Sequence, residues 1–433
     1  MLQPAVRPSS HRALAARERL LQGYPRWEEW RDQARAIKAE AISRLEELLA
    51  RLKREVAAWG GRVLEARDAQ EARELILKVA RRHRVTQVIK SKSMTTEEIA
   101  LNPFLAAAGL QVRETDLGEF IVQLAGHPPA HLTAPALHLD RRQIAALFRE
   151  HLGTSCPPEP ELLTREASAY LKPLYLEAQM GITGVNFATP EGDLVLLENE
   201  GNLRLAATRP PVHLALMGLE KVIPRLADLE VFLRLLPASA TGQRLTSLVH
   251  FIRGLKPHPA GQQVFYLVIL DNGRREMAAD PEMQEALYCL RCGACLNVCP
   301  VFQVGAAHLY KRVYPGAIGI LLAPYLAPRG DISDLCAQCG ACQEICPVKI
   351  RLTEKIIRIR RFSPKFRGLH AASRLAGWGL RLPWLYRGLE PGLRLVPRLI
   401  SGLTGQAFSG FSLALRSFHR RRKSGERGER IKG

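Results

Sequence analysis

The cysteines are the residues whose spacing points most directly to chemistry. Eight of the nine fall into two runs of one pattern, Cys289-x2-Cys292-x2-Cys295-x3-Cys299-Pro300 and Cys336-x2-Cys339-x2-Cys342-x3-Cys346-Pro347. This spacing is typical of the ligands of cubane iron–sulfur clusters. Zinc sites more often use separated pairs of cysteines, and disulfides suit a reducing compartment badly. The two runs therefore predict two [4Fe-4S] clusters and a role in electron transfer.

The position before proline predicts how the eight cysteines are shared. In two-cluster ferredoxins the cysteine before proline ligates the other cluster. On that rule each cluster takes three cysteines from one run and the last cysteine of the other: Cys289, Cys292, Cys295 and Cys346 for the first, and Cys336, Cys339, Cys342 and Cys299 for the second. The ninth cysteine, Cys156, has no accompanying histidine motif, and we interpret it as a plain free thiol.

Length and composition are those of an ordinary globular protein with two or three domains: 433 residues, 47% of them hydrophobic and 24% charged. The net charge of +20 is unusual, and it is concentrated in residues 351–433, which contain 20 basic and 4 acidic residues. Residues 1–22 lack the apolar core of a secretory signal, and residues 399–415 are too short and too polar for a membrane span. We expect a cytoplasmic protein.

The basic tail suggests a second property. Its arginines alternate with leucines and with Trp378, Trp384 and Tyr386, a pattern that fits contact with anionic lipid at the inner face of the membrane or with an acidic partner protein. A solvated extension accounts for the final basic run equally well. Nucleic acid is not expected as a partner, because no recognised nucleic-acid motif accompanies the charge.

Hydrophobic periodicity before the cysteine runs predicts a mainly parallel α/β sheet, because strands and helices alternate. We predict one long helix over 33–56, a helix that begins after Asp68, and helices near 142–151 and 161–179. Strands are predicted at 62–66, 85–89, 111–114, 120–124, 131–132, 194–197, 212–217 and 264–270. No glycine-rich dinucleotide or phosphate-binding motif is present. The cysteine region shows little strand signal, so we expect it to be helical.

Other side chains are weaker candidates for binding. Lys90, Lys92 and Ser93 follow a predicted buried strand, and open α/β sheets bind ligands beyond the carboxyl ends of their strands. They would suit a carboxylate or phosphate, although a solvated basic loop is an equal alternative. Asn186, near a glycine, suggests a backbone turn first and a ligand contact second. No carboxylate is spaced to a partner base, so no residue is assigned as catalytic.

Several stretches resemble the lactate-utilisation iron–sulfur protein family, the B subunits of a bacterial three-protein lactate oxidation system. The resemblance covers roughly residues 35–360 and rests on KSKSMTTEE at 90–98, ETDLGE at 114–119, GITGVNF at 181–187, NEGN at 199–202, PPVH at 210–213, GLEK at 218–221, DNGR at 271–274 and both cysteine runs. The chain departs from the family pattern at residues 188–192 and 256–260.

The resemblance implies a domain similar to the sugar-phosphate isomerase and CoA-transferase superfamily, joined to a helical, ferredoxin-like two-cluster module. We expect a helical segment at 1–60, an α/β LUD-like domain at 61–278, the cluster module at 279–360 and the basic tail at 361–433. It further implies work with two partners, a cysteine-rich A-type protein and a LUD C-type protein, in oxidising L-lactate to pyruvate.

The sequence shows clusters and no recognisable hydride acceptor, so we interpret the chain as an electron-transfer subunit that is inactive alone. Two alternatives stay open. One is an enzyme in its own right that binds an organic acid or phosphate ester and uses the clusters. The other is an iron–sulfur regulatory or nucleic-acid-binding factor.

Overall fold

The structure is a computed structural model and describes residues 5–259, 261–326 and 329–363. The predictions for the basic tail, including its tryptophans and its contact with lipid, fall almost entirely outside the described residues. Among the described residues, no helix combines the length and the apolar character needed to cross a membrane.

Helices and strands are interspersed from β1 to β11, whereas the cysteine region is helical. The helices are α1 Val6–Leu21, α2 Trp27–Ser43, α3 Leu45–Ala58, α4 Ala69–Arg82, α5 Met94–Glu98, α6 Leu101–Ala107, α7 Leu117–Leu124, α8 Arg141–Leu152, α9 Pro160–Glu177, α10 Asn202–Thr208, α11 Leu229–Thr241, α12 Arg274–Ala279, α13 Ala294–Asn297, α14 Phe302–Gly305, α15 Gly316–Leu322, α16 Ala341–Ile345 and α17 Leu352–Phe362. The strands are β1 Arg62–Ala66, β2 Gln87–Lys90, β3 Gln111–Glu114, β4 Met180–Gly184, β5 Phe187–Ala188, β6 Leu194–Glu198, β7 Val212–Gly218, β8 Leu248–Ile252, β9 Pro257–His258, β10 Gly261–Gln262 and β11 Val264–Leu270.

A six-stranded sheet forms the centre of the first part of the chain. Its strand order is β1-β11-β7-β4-β2-β3, and every neighbouring pair is parallel. The central strands β7 and β11 are almost fully buried and rich in Val, Ile and Leu, as expected for a parallel sheet covered by helices on both faces. The α/β fold with a mainly parallel sheet is therefore confirmed, and the carboxyl ends of β2, β4 and β7 meet at one edge.

Three predicted elements are wrong. Residues 120–124 lie in the helix α7 rather than in a strand, because the Asp116 side chain accepts a hydrogen bond from the Glu119 backbone N–H and caps a helix there. Residues 131–132 lie in a loop. The long helix over 33–56 is two helices, α2 and α3, which are separated at Arg44.

The N-terminal helices connect the sheet to the cysteine region within one compact unit, Met1–Arg360. Helix α3 packs against β1, and α2 packs against the short 3-10 helix Gln284–Tyr288 that leads into the first cysteine run. Arg31 on α2 donates a hydrogen bond of 2.8 Å to the carbonyl oxygen of Cys346. Arg35 forms a 2.6 Å ion pair with Glu285. Helix α2 therefore fixes both ends of the cysteine region.

A substitution at Gly181 in β4 tests the close packing of α10 on the sheet. A Cβ atom at Gly181 would lie 1.8 Å from the carbonyl oxygen of Ala206, which belongs to the backbone and cannot swing away. We expect Gly181→Ala to cost about 3 kcal/mol, the upper end for overpacking, and to lower the apparent melting temperature by several degrees. Gly23→Ala is the control, because its Cβ would meet only ordinary contact at 3.6 Å. Equal melting temperatures would contradict the packing.

Candidate functional site

The first candidate site is a small cavity lined by four thiols. Cys289, Cys292 and Cys295 of the first run meet Cys346 of the second run around it. Its remaining walls are almost entirely apolar: Leu132, Leu290, Ile318, Val348, Ile350 and Leu352. Cys292 and Cys346 are buried, and Cys289 and Cys295 are half-buried. The structure thus brings together the four cysteines that the sequence rule groups for the first cluster.

The second candidate site has the reciprocal composition. Cys336, Cys339 and Cys342 of the second run line a cavity together with Cys299 of the first run. The phenolic oxygen of Tyr310, which also lines this cavity, lies 3.8 Å from the Cys299 sulfur. The helices α13 and α16, which carry one cysteine of each run, pack against each other and so place the two cavities side by side.

The same backbone conformation occurs in both cysteine loops. Arg291 and Gln338 occupy equivalent positions and have φ angles of 61° and 56°, in the left-handed region. This conformation turns the backbone N–H of Arg291 toward the sulfur of Cys289, 3.4 Å away, and that of Gln338 toward the sulfur of Cys336, 3.3 Å away. The strain of a left-handed non-glycine residue is typical of functional loops, and N–H groups directed at sulfur stabilise thiolate.

Burial strongly affects the thiols of both sites. Burial, with neighbouring thiols adding to it, raises the pKa of Cys292 to about 12. Burial likewise raises the pKa of Cys342 to about 12 and that of Cys346 to about 11. Metal ions convert such thiols to thiolates by coordination. Sulfur donors, apolar walls and N–H groups directed at sulfur together fit an iron–sulfur cluster in each cavity.

The geometry differs from that of a single-ion site. Among the described residues, no three His, Cys, Asp or Glu side chains converge on one ion position. In each candidate site the four cysteines instead surround a void.

The two cysteine loops differ in exposure. Leu290, Arg291 and Cys292 of the first loop are buried. Ala337, Gln338 and Cys339, at the equivalent positions of the second loop, are exposed. One site therefore faces the interior of the protein and the other faces solvent.

A larger cavity of about 280 Å³ lies where the buried loop meets the sheet. Its walls include Ser91, Lys92 and Ser93 after β2, Asn186 after β4, and Leu290 and Arg291 of the first cysteine run. It lies beyond the carboxyl ends of parallel strands, where open α/β sheets bind ligands. Sheet and cysteine region thus share one cavity.

The four predicted ligand-binding residues have different environments. Lys92 and Ser93 line the cavity, and the Ser93 hydroxyl also accepts a hydrogen bond from the Thr96 backbone N–H. Asn186 lines it too, while its Oδ1 atom accepts a hydrogen bond of 2.9 Å from the Leu197 backbone N–H.

Lys90 is separate from the cavity walls. It is fully buried, and its ammonium group lies 2.7 Å from Glu114, 3.1 Å from Glu97 and 2.8 Å from the Thr96 hydroxyl. These three partners account for the three N–H donors of the ammonium group. Lys90 therefore stabilises the carboxyl end of β2 inside the protein.

Sequence reasoning missed a buried charge network beside the cavity. Arg274 lies 2.7 Å from Glu98 and 2.6 Å from Glu220, and all three side chains are almost fully buried. Burial alone would raise the pKa of Glu220, but Arg274, Lys221 and Arg291 hold it at about 2. Glu220 and Arg274 lie in the GLEK and DNGR stretches, so their presence was visible in the sequence, whereas their contact was not.

The network also reaches the cysteine region. Tyr314 donates a hydrogen bond of 2.8 Å to Glu98, and the guanidinium of Arg291 lies 4.6 Å from the centre of the Tyr314 ring. Arg291 is only 8% exposed, so it is a buried member of this network.

Comparison with known families agrees with this two-part organisation. Residues 49–269 match the LUD domain family, and residues 285–350 match the 4Fe-4S dicluster domain family. One solved structure, a DUF162 family protein from Deinococcus radiodurans, aligns with 52% of this chain and 98% of its own at 11% identity, with a TM-score of 0.30.

Curated relatives cover most of the chain. The chain is 42% identical over 367 residues to an uncharacterized electron transport protein, YkgF, of Escherichia coli. This alignment covers 83% of this chain and 77% of the relative. It is 40% identical over 408 residues to lactate utilization protein B of Geobacillus kaustophilus, with 92% and 85% of the two chains covered. The protein of that name from Shouchella clausii is 39% identical over 385 residues, with 86% and 80% covered.

Glu220→Gln tests the buried network. It removes a carboxylate that is paired with Arg274 at 2.6 Å, and leaving a buried charge partly unpaired typically costs about 3–5 kcal/mol. We expect a clear fall in the apparent melting temperature. Glu276→Gln is the matched control, because its 2.6 Å pair with Arg329 is exposed and worth at most about 1 kcal/mol. Similar melting temperatures for the two variants would contradict the role of the network.

Proposed function

The chain belongs to the family of lactate utilization protein B, and we propose that it is the electron-transfer iron–sulfur subunit of a multi-protein system that oxidises L-lactate to pyruvate. The observation that carries the proposal is the reciprocal sharing of cysteines, which gives two adjacent cavities with four thiols each. We propose Cys289, Cys292, Cys295 and Cys346 as ligands of one [4Fe-4S] cluster, and Cys336, Cys339, Cys342 and Cys299 as ligands of a second. When bound, such clusters supply transfer of one electron at a time.

We propose different roles in electron transfer for the two sites, because the residues around them differ in exposure. Leu132, Leu290 and Ile318 exclude water from the first site, which adjoins the 280 Å³ cavity through Leu290. The second site reaches the surface at the exposed Cys339. This arrangement supports an entry point for electrons on the cavity side and an exit toward a redox partner at the loop 336–339.

The proposed partners follow from the family. Lactate oxidation removes two electrons and two protons, and among the described residues the cysteine sites suit the electrons alone. We propose that a cysteine-rich A-type protein and a LUD C-type protein supply the remaining chemistry. We further propose that the basic tail assists contact with the membrane surface or with an acidic partner.

A second candidate function is favoured by one observation. Lys92 of the α/β domain and Arg291 of the cysteine region both line the large cavity, so the two parts together offer cations to an organic acid or a phosphate ester. In that case the chain is an enzyme in its own right that uses the clusters. The nucleic-acid alternative depends on the tail, which falls outside the described residues.

Four single substitutions test the proposed sharing of cysteines. Cys292→Ser and Cys346→Ser should each destroy the first cluster and leave the second, so that both variants give the same EPR spectrum after reduction with dithionite. Cys299→Ser and Cys339→Ser should leave the other cluster and share a different spectrum. Each variant should contain about four irons where the unchanged protein contains about eight.

The control for this series is Cys156→Ser, because Cys156 lies apart from both thiol cavities and should keep all its iron. If Cys346→Ser instead gave the spectrum of Cys339→Ser, each run would hold its own cluster. Zinc without acid-labile sulfide in the anaerobically purified protein would remove the proposal altogether.

A turnover experiment separates the two candidate functions. The isolated chain should not oxidise L-lactate with an artificial electron acceptor, since the proposal assigns the bond-breaking step to its partners. Addition of the partner proteins and L-lactate should reduce the clusters, as seen by bleaching of their visible absorption. Turnover by the chain alone would favour the independent enzyme, and Cys156→Ser again serves as the control for both measurements.

A further inference from the structure

The cavity between the sheet and the first cysteine loop is lined by both positive and negative groups. Its cations are Lys92, Lys221 and Arg291, and its carboxylates are Asp116, Glu198 and Glu200. The two sets differ in how far the protein itself has already engaged them. That difference indicates which charge an incoming ligand carries.

The carboxylates of the cavity are engaged by the protein. Asp116 accepts a hydrogen bond of 3.1 Å from the backbone N–H of Glu119, and Glu200 accepts one of 3.1 Å from that of Leu117. Glu198 accepts hydrogen bonds from the backbone N–H groups of Leu203 and Arg204 and lies 2.6 Å from the His250 ring. Asp116 and Glu200 therefore stabilise the start of α7, and Glu198 stabilises the start of α10 and contacts β8.

Two of the three cations of the cavity, Arg291 and Lys92, are not engaged in the same way. All three guanidinium nitrogens of Arg291 and the ammonium of Lys92 are buried and have no hydrogen-bond partner. Their nearest carboxylates are 3.5 Å away in both cases, Glu220 for Arg291 and Glu119 for Lys92. Buried charged donors without hydrogen bonds are rare in proteins, because the lost hydration is not replaced.

Arg291 is directed at the larger cavity rather than at the first thiol site. It lines the 280 Å³ cavity, whereas its neighbours Leu290 and Cys292, but not Arg291 itself, line the thiol cavity. The ring of Tyr314 supports the guanidinium from one face, with 4.6 Å between the guanidinium carbon and the ring centre. A guanidinium held in this way presents parallel N–H donors, which match a carboxylate or phosphate.

We propose that this cavity binds a small organic oxyanion, a carboxylate or a phosphate group, through Arg291 and Lys92 with Lys221 beside them. The ligand occupies the junction between the sheet and the loop that carries Cys289 and Cys292. This assignment adds ligand binding to the electron transfer proposed above. In this assignment the domain that contains the sheet takes a direct part in ligand binding.

Occupancy of this cavity acts on the adjoining thiol site. Arg291 lies between Cys289 and Cys292, and its backbone N–H is directed at the Cys289 sulfur. An anion that pairs with its guanidinium cancels a positive charge close to the first cluster, and this lowers the reduction potential of the cluster. This consequence, unlike the binding itself, rests on the proposed function.

Isothermal titration of the full, anaerobically purified chain with L-lactate, pyruvate and inorganic phosphate tests the binding. Binding of L-lactate or pyruvate identifies an organic acid as the source of the oxyanion, and binding of phosphate identifies a phosphate compound. Arg291→Gln should weaken the binding at least tenfold. Glutamine suits the left-handed position, because Gln338 occupies the equivalent place in the second loop with a φ of 56°.

Lys92→Gln provides a second variant, remote in sequence from the cysteines, and should also weaken binding. Arg234→Gln is the control, since Arg234 is an exposed arginine paired at 2.6 Å with Glu230 on the surface of α11. A redox titration followed by EPR should show a lower midpoint potential for one cluster when the bound anion is present, and no such shift in Arg291→Gln.

The outcomes separate this inference from the proposed function. Absence of binding by all three anions in a protein that contains its clusters overturns the inference and leaves electron transfer standing. Unchanged binding in both Arg291→Gln and Lys92→Gln also overturns it. Anion binding by a protein that lacks iron and sulfide supports the cavity assignment and overturns the proposed function.

Discussion

The structure of the cysteine region depends on one constraint, that the last cysteine of each run lies in the cavity formed by the other run. Neither run can complete a set of four thiols by itself. The chain must therefore bring α13 and α16 together, although their runs are separated by the segment that contains α14 and α15. Helix α2 adds to this by binding the carbonyl oxygen of Cys346 through Arg31. The contacts that hold this region together are therefore the ones that bring the eight thiols into two groups.

A second set of contacts ties the cysteine region to the sheet. Tyr314 belongs to the segment between the runs, yet it donates a hydrogen bond to Glu98 on α5, next to the carboxyl edge of the sheet. Arg274 joins Glu98 to Glu220, and Arg291 packs on the Tyr314 ring. The large cavity is therefore built by both parts of the chain.

The sequence allowed prediction of features that depend on local pattern. The bounds of β1, β3 and β11 agree with the predicted ones because apolar runs end there at turn residues, and Asp68 caps α4 as its spacing to Glu71 indicates. The grouping of cysteines also follows a local rule.

The strand predicted at residues 120–124 is wrong because an apolar run of five residues fits either a strand or a buried helix. The cap at Asp116 decides for the helix. Strand β4 was missed because its two glycines weaken the strand signal.

Long-range features could not be predicted. The sequence allows Lys90 either a ligand contact or a place in a solvated loop. In the fold Lys90 is buried, with its partners on α5 and on the neighbouring strand β3. The burial of Arg291 could not be predicted, because its sequence neighbours do not reveal that Tyr314 covers it. Each of these buried cations has a contact with a residue more than twenty positions away, Lys90 with Glu114 and Arg291 with Tyr314.

The crossing of the last cysteines has a consequence for biosynthesis. A ribosome makes Cys289, Cys292 and Cys295 well before Cys346, so the first thiol cavity lacks a wall until the second run has emerged. The second cavity holds Cys299 early but waits for the same segment. Both sets of four thiols are therefore present together only after translation has passed residue 346.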